Sequence, residues 1–476
     1  MEVNPTAVEP RLDKLEARSS THVPVPVPLE KKMRDPILPF FPAHVLEQNP
    51  QFFGREEELS LIDEHLLPSV NIDTPNDART LRSFGICGMG GLGKTEIAVQ
   101  YIHTRRKHFD AIFWLSADDK NSLGAKFAEI AHQLGIEDPN DNNDLTVSRE
   151  CMKEWLSNPL KSFTKEDDTK HNEASWLLVF DNAYSLSVLE EYWPVTGRGS
   201  ILLTSRDPLA KTSFYTDNRG IDLSNFSLES TEAFLRSLTK STMDNDDGKS
   251  LRLIAEILDG LPLGIDQVGS IIRRLRISYS DFLQLYAKES KRIHEMVPDH
   301  NRKDYKHSLA TVWSLQQFSS GSETLLQVLS MLDPGLVPES LLTQNFDKLD
   351  LEGYPCDIIT YYAARVELLG ASLISLINQT DVLQGLRLHR LLQDVVTARM
   401  NESRAEMVFK AALQLVCASW PFQSLRHRHV RDRWIECALL LPHVAHLKNV
   451  AHRIKSGKRK PLGLTLFATL LNDAGW

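Results

Sequence analysis

Long apolar runs are missing from this sequence. No stretch of its 476 residues approaches the ~20 apolar residues that cross a bilayer, and its first residues have no signal-peptide core. Cysteine is scarce. The five present (Cys87, Cys151, Cys356, Cys417 and Cys437) are far apart, odd in number and without metal-ligand or redox spacing. That pattern argues against a disulfide framework and for a reducing compartment, so a cytoplasmic location without a membrane partner is expected. Positive charge is in deficit, with 54 Lys and Arg against 63 Asp and Glu for a net charge of −9. With no long basic stripe, nucleic acid is not expected as a partner. The one basic cluster, Lys455–Lys460, reads as a solvated loop between helices.

What is present is a chain too long for one core, of ordinary globular composition. Its most informative stretch is Gly88-Met89-Gly90-Gly91-Leu92-Gly93-Lys94-Thr95, which fits the phosphate-loop pattern G-x-x-x-x-G-K-[ST] at every fixed position. Ser83–Cys87 before it reads as a buried strand, and Glu96–Tyr101 after it as the first turns of a helix. Glycines let backbone N–H groups face phosphate oxygens, and the helix start adds unpaired N–H groups and a partial positive charge. Lys94 is placed to reach the β- and γ-phosphates, and the Thr95 hydroxyl to ligate Mg²⁺.

A phosphate loop needs partners. Trp176-Leu177-Leu178-Val179-Phe180-Asp181 reads as a buried strand that delivers a carboxylate at its C-terminal end, where open α/β sheets bind ligands. Asp181 is the candidate Mg²⁺ partner, though Asp181-Asn182 is also good turn chemistry. Many hydrolytic phosphate-loop enzymes place a second acid next. This chain has Asn182, and an amide cannot act as a general base, so slow hydrolysis is expected. A further strand, Ser200–Ser205, ends in Arg206, whose planar fork suits a γ-phosphate; a plain surface arginine at a strand end is the alternative.

Residues 1–45 are rich in proline and charge and read as a disordered tail or linker, with Val23–Pro28 in polyproline-like form. Residues 46–225 alternate short apolar runs with helical patterns, which predicts a parallel sheet with crossover helices. Its strands are Phe84–Cys87, Ala111–Leu115, Trp176–Phe180, Ile201–Thr204 and a fifth at Gly220–Leu223. Leu123, Phe127, Ile130 and Leu134 recur at helical spacing between the second and third. The polar stretches Asp138–Asp144 and Lys165–Glu173 read as surface loops with almost nothing to bury. A helical unit over 226–303, a mixed unit over 304–400 and a helical segment over 401–476 complete the α/β-then-helical plan.

This combination resembles the NB-ARC branch of the STAND signal-transducing ATPases, and most closely the nucleotide-switch proteins of filamentous fungi. The resemblance runs from about Phe40 to the end. Phe52-Phe53-Gly54-Arg55-Glu56 is similar to the family's entry motif, which implies that Phe53, Gly54 and Arg55 contact the adenosine end of the nucleotide. Gly260-Leu261-Pro262-Leu263 is similar to the GLPL motif, which implies Pro262 and Leu263 beside adenine. Trp313-Ser314-Leu315 and Leu332-Asp333-Pro334 resemble the start of a winged-helix domain. Leu388-His389-Arg390 resembles the MHD motif, which implies that His389 touches the β-phosphate of ADP. Gly88 to Glu96 complete the implied nucleotide contacts.

Two departures stand out. Arg390 replaces an acid of the MHD pattern, which puts the resting-state lock in doubt. Pro461–Leu471 resembles the first helix of a tetratricopeptide array that the chain does not continue, so truncation from a longer protein is expected. The resemblance implies an ADP/ATP-controlled switch with Mg²⁺ as cofactor, self-oligomerisation when ATP is bound and an effector the sequence does not name. A multiple-turnover remodelling NTPase and a nucleotide-stabilised scaffold remain the rival readings.

Overall fold

Five apolar runs of the N-terminal half become one sheet. The computed structural model describes residues 35–41, 47–68, 81–118, 120–136, 145–163, 172–183, 185–194, 196–197, 199–239, 248–296, 318–344, 346, 349–380, 383–422, 433–454 and 464–475. Within these, β1 (Arg82–Cys87), β2 (Ala111–Ser116), β3 (Trp176–Ala183), β4 (Gly199–Ser205) and β5 (Gly220–Asp222) lie in the order β2-β3-β4-β1-β5. All pairings are parallel. Helices α1 (Glu56–Leu66), α2 (Lys94–Arg105), α3 (Lys120–Leu134) and α4 (Leu145–Ser157) accompany it.

The strands are near-continuous apolar runs because both faces of the sheet are covered. Alternation then sorts side chains by face. Leu177 and Val179 join one core cluster, and Leu178 and Phe180 the other. The expected stripe on α3 is present, with Leu123, Phe127, Ile130 and Leu134 all buried.

The reading of residues 1–45 as a free tail fails over its described part. Phe40 forms a parallel bridge with Ala111 on the outer edge of β2. Its N–H donates to the Asp110 carbonyl at 3.0 Å, and its carbonyl accepts from Ile112 N at 2.9 Å. The Phe40 ring lies 5.2 Å from that of Phe113. An edge strand has backbone groups to satisfy, and this segment satisfies them. The loop reading of Lys165–Glu173 also needs correction at its end. Asn172 is buried, and its side chain bonds both the N–H and the carbonyl of Ser162. Asp138–Asp144, Val23–Pro28, Trp313–Leu315 and Lys455–Lys460 lie outside the described residues.

A helical unit follows: α5 (Leu228–Thr239), α6 (Gly248–Leu258), α7 (Pro262–Leu275) and α8 (Tyr279–Glu295). Next comes a small mixed unit of α9 (Ser320–Leu329), β6 (Val337–Pro338), α10 (Glu339–Thr343), α11 (Ile358–Gly370), β7 (Ile374–Thr380) and β8 (Leu383–Leu388), closed by α12 (Arg390–Arg399). Its antiparallel sheet runs β6-β8-β7. Three helices end the described chain: α13 (Glu402–Ser419), α14 (Trp434–Ile454) and α15 (Leu464–Ala474). The last does not stand alone. Phe467 and Leu470 are buried in the core that α13 and α14 also enter, and Phe467 meets Phe409 edge-on at 5.8 Å. Among the described residues no helix is long and apolar enough to cross a membrane.

Candidate functional site

The phosphate loop leaves β1 and enters α2 through Gly93, which caps the helix at φ 92°. That left-handed conformation suits glycine, and a Cβ built there meets no atom within 4 Å, so the space beside it is open. Gly91, at φ 90°, faces the helical unit instead, where a Cβ would come within 3.3 Å of Leu263. The loop keeps Met89 and Leu92 buried beneath it.

Lys94 follows at the first helical position, buried, with Nζ donating to the Gly88 carbonyl at 2.6 Å and the Met89 carbonyl at 3.0 Å. Burial lowers its pKa to about 7, and the nearby Arg206 charge adds to the depression. An ammonium so placed is bonded to two carbonyls, with the Asp181 charge also favouring it, and is ready for a closer anion.

Beside it, Asp181 collects two hydroxyls. Thr95 Oγ1 donates to Asp181 Oδ1 at 2.9 Å, and Thr204 Oγ1 donates to the same oxygen at 2.6 Å. The carboxylate lies at a break in β3, where the pairing register with β4 shifts between Phe180 and Ala183. At that break Asn182 adopts φ 60° and donates its N–H to Thr204 Oγ1 at 2.8 Å. Burial raises the Asp181 pKa, opposed by the two hydroxyl bonds. Asn182 itself is exposed, with no carboxylate in its place.

The predicted residues of the loop, Asp181 and Arg206 thus converge at the C-terminal ends of β1, β3 and β4. Glu96 follows half-buried in the first turn of α2. The entry motif is anchored to the same loop. Arg55 is buried, donates to the carbonyls of Leu92 at 3.4 Å and Ser224 at 2.8 Å, and lies 4.4 Å above the Phe226 ring. Gly54 sits at φ 64° against Phe226, and Phe53 stacks on Phe234 at 4.8 Å. Pro262 opens α7, and Leu263 N donates to the Gly91 carbonyl at 3.1 Å.

His389 is placed differently. It is buried, caps α12 by accepting from Leu391 N at 3.2 Å on Nδ1, and lies 3.8 Å from Asp259 Oδ2 through Nε2. Burial lowers its pKa, and Asp259 opposes that shift. His389 thus joins its own unit, through Leu391, to the helical unit, through Asp259.

Sequence reading missed Thr204, which shares Asp181 with Thr95, and Ser372, whose Oγ donates to the main-chain carbonyl of Arg206. Thr204 had a signal, since it ends the apolar run before Arg206. Ser372 had none, because its partner is a backbone atom in a distant unit.

The residues present fit a nucleotide. The loop leaves room where a Cβ would project, Lys94 has an ammonium turned onto the loop, and Thr95 and Asp181 pair two hard oxygens suited to Mg²⁺.

The NB-ARC domain family matches residues 72–235. Residues 72–235 thus carry an NB-ARC domain. Its fold is that of a phosphate-loop NTPase with a following helical region, and the NB-ARC match makes it a nucleotide-binding domain of the signalling-ATPase type. Residues 313–405 match a second family, described as a domain of unknown function (DUF7779). A nucleotide-binding leucine-rich repeat (NLR)-like protein of Hyaloscypha variabilis is 26% identical over 84% of this chain and 40% of its own length. A putative disease resistance protein of Arabidopsis thaliana is 27% identical over 48% of this chain and 26% of its own. The chain thus spans less than half the length of these curated relatives. A STAND protein with a tetratricopeptide repeat sensor from Pyrococcus horikoshii superposes with a TM-score of 0.31 at 14% identity, covering 90% of this chain and 59% of that one.

Proposed function

We propose that this NB-ARC chain is a switch set by ADP or ATP, with slow or absent hydrolysis, in which nucleotide state governs the arrangement of the α/β, helical and small mixed units. One observation carries the reading. The phosphate-binding elements are bonded to both following units, through Gly91 to Leu263 and through the Arg206 main chain to Ser372. A change at the phosphates therefore bears directly on two domain contacts.

In this reading the loop N–H groups and Lys94 hold the α- to γ-phosphates. Thr95 and Asp181 hold Mg²⁺, which neutralises phosphate charge when bound. Arg206 answers to the γ-phosphate. Arg55 fixes the loop from the adenosine side, and Pro262 and Leu263 bound the base. His389 reports the position of the small unit. With Asn182 after Asp181, no carboxylate at that position takes the proton of an attacking water. We read the α9–β8 unit as a winged helix and α13–α15 as the beginning of a tetratricopeptide-like array. A cytoplasmic setting and ATP-dependent self-assembly belong to the same reading.

To act as a switch, the two nucleotides must prefer different arrangements, and a swing from 1:99 to 99:1 needs ~10⁴-fold differential affinity. The test is chromatographic and hydrodynamic. Purified protein should release ADP on denaturation, and Lys94→Ala protein should carry none. Exchange of ADP for ATP should change sedimentation and protease sensitivity. Bound ADP with no such change favours the scaffold reading, and ATP turnover well above about once per minute favours the remodelling NTPase.

A further inference from the structure

A cavity of 330 Å³ lies between the helical unit and the small mixed unit, away from the phosphate loop. One wall comes from the helical unit and carries the carboxylates of Glu256 and Asp259. The opposite wall comes from β8 and the start of α12 and carries the guanidinium groups of Arg387 and Arg390. Phe226 and Leu228 on one side, with Leu388 and Pro334 on the other, supply an apolar lining. The walls carry opposite charges and meet at Asp259 and His389, but no arginine–carboxylate pair closes the space between them. Glu256 pairs with Arg252 at 3.5 Å within its own helix, and Asp259 lies 3.8 Å from His389. Asp333, also at the rim, accepts from Gly335 N at 3.0 Å in its own turn. Arg387 and Arg390 have no ion-pair partner among the described residues, although Glu256 and Asp259 line the same cavity.

Ion pairing between such walls would be the ordinary outcome at a domain junction. Lining a volume of this size without pairing, the arginines, the carboxylates and the apolar side chains offer anion-binding, cation-binding and apolar groups in one slot. The size is that of a small-molecule site. Arginine pairs recognise carboxylates by geometry as well as charge. We propose that this slot binds a small zwitterion with an apolar body, of the α-amino-acid type, its carboxylate on Arg387 and Arg390 and its ammonium towards Glu256 and Asp259. Such a ligand touches both units at once and ties them together, because a ligand that meets both walls binds the arrangement in which they face each other. No residue of the phosphate loop lines the slot, so the proposal stands or falls apart from the nucleotide reading.

The test is calorimetric titration of the full chain with leucine and with phenylalanine, with and without ADP, alongside N-acetyl-leucine, leucinamide and inorganic phosphate. Leucine or phenylalanine should bind at millimolar concentration or below, in either nucleotide condition. N-acetyl-leucine and leucinamide, each lacking one charge, should bind at least tenfold more weakly. Arg387→Ala/Arg390→Ala protein should lose amino-acid binding at least tenfold, and Glu256→Gln protein should weaken it severalfold, both with an unchanged far-ultraviolet spectrum. These are exposed positions, so the variants should fold; Glu256→Gln also keeps the side-chain size. No heat with either amino acid at 10 mM overturns the proposal. So does equal binding of N-acetyl-leucine or phosphate, which would make the slot a simple anion site, and so does binding that survives the double arginine variant.

Discussion

Lys94 concentrates the chemistry of the site in one proton. Its ordinary pKa is 10.5, and burial beside Arg206 brings it to about 7. Because the folded value lies below the unfolded one, this lysine weakens the fold most below pH 7, and the penalty is relieved as pH rises towards 10.5. A phosphate beside the ammonium reverses the depression. Binding of Mg²⁺-free ADP at pH 8 should therefore take up close to one proton, and at pH 6 almost none. Titration calorimetry in buffers of different ionisation enthalpy measures the difference, and equal uptake at both pH values would remove Lys94 as its source. A second expectation sits at Asn182. Aspartate tolerates the left-handed backbone found there. Asn182→Asp should raise single-turnover ATP hydrolysis by about 10²-fold, the low end of what a positioned base supplies. An unchanged rate would mean that the missing carboxylate is not what limits hydrolysis.

Among the elements, the end of α15 shows how a short helix is secured. Asp473 is almost wholly buried, accepts from Trp420 Nε1 at 2.8 Å and pairs with Arg433 Nη2. Removal of one partner of a buried ion pair strands the other and costs about 3–5 kcal/mol. Asp473→Ala should therefore release α15 from α13 and α14, read as loss of amide protection over residues 464–474. Arg433→Met combined with Asp473→Leu should restore it. The five strands of the main sheet and the face of α3 were legible in the sequence because buried parallel strands and helical stripes write their pattern locally. The Phe40 bridge was not. Its segment is rich in proline, and what holds it is the unsatisfied edge of a strand seventy residues on. Nor was the covering of α15, since its neighbours are set by tertiary packing and not by its own period.

For the whole molecule, the decisive contacts are those that join units. Gly88–Thr95, Asp181 and Arg206 could be assembled from sequence because strand ends of one parallel sheet must meet on one side. Ser372 could not, because a hydroxyl that finds a distant carbonyl leaves no pattern. Ser372 adopts φ 51°, so Ser372→Gly removes the hydroxyl without adding backbone strain. Loss of one such bond is worth about 0.5–1.5 kcal/mol. ADP release should accelerate about 2–10-fold, measured by stopped-flow with a fluorescent analogue, while affinity of the isolated phosphate contacts is little changed. A rate equal to wild type would show that the small unit does not restrain the nucleotide through this bond.

The two rims of the main sheet have a bearing on how copies of this protein can join. One rim is partly sealed by the strip around Phe40, and the other is β5, three residues long. Among the described residues, neither offers a lengthy row of open amides on which a foreign strand could be templated. Copies that meet at these two rims have to join by helices and side chains, a contact that can be undone, and not by the annexation of strands, which seldom is.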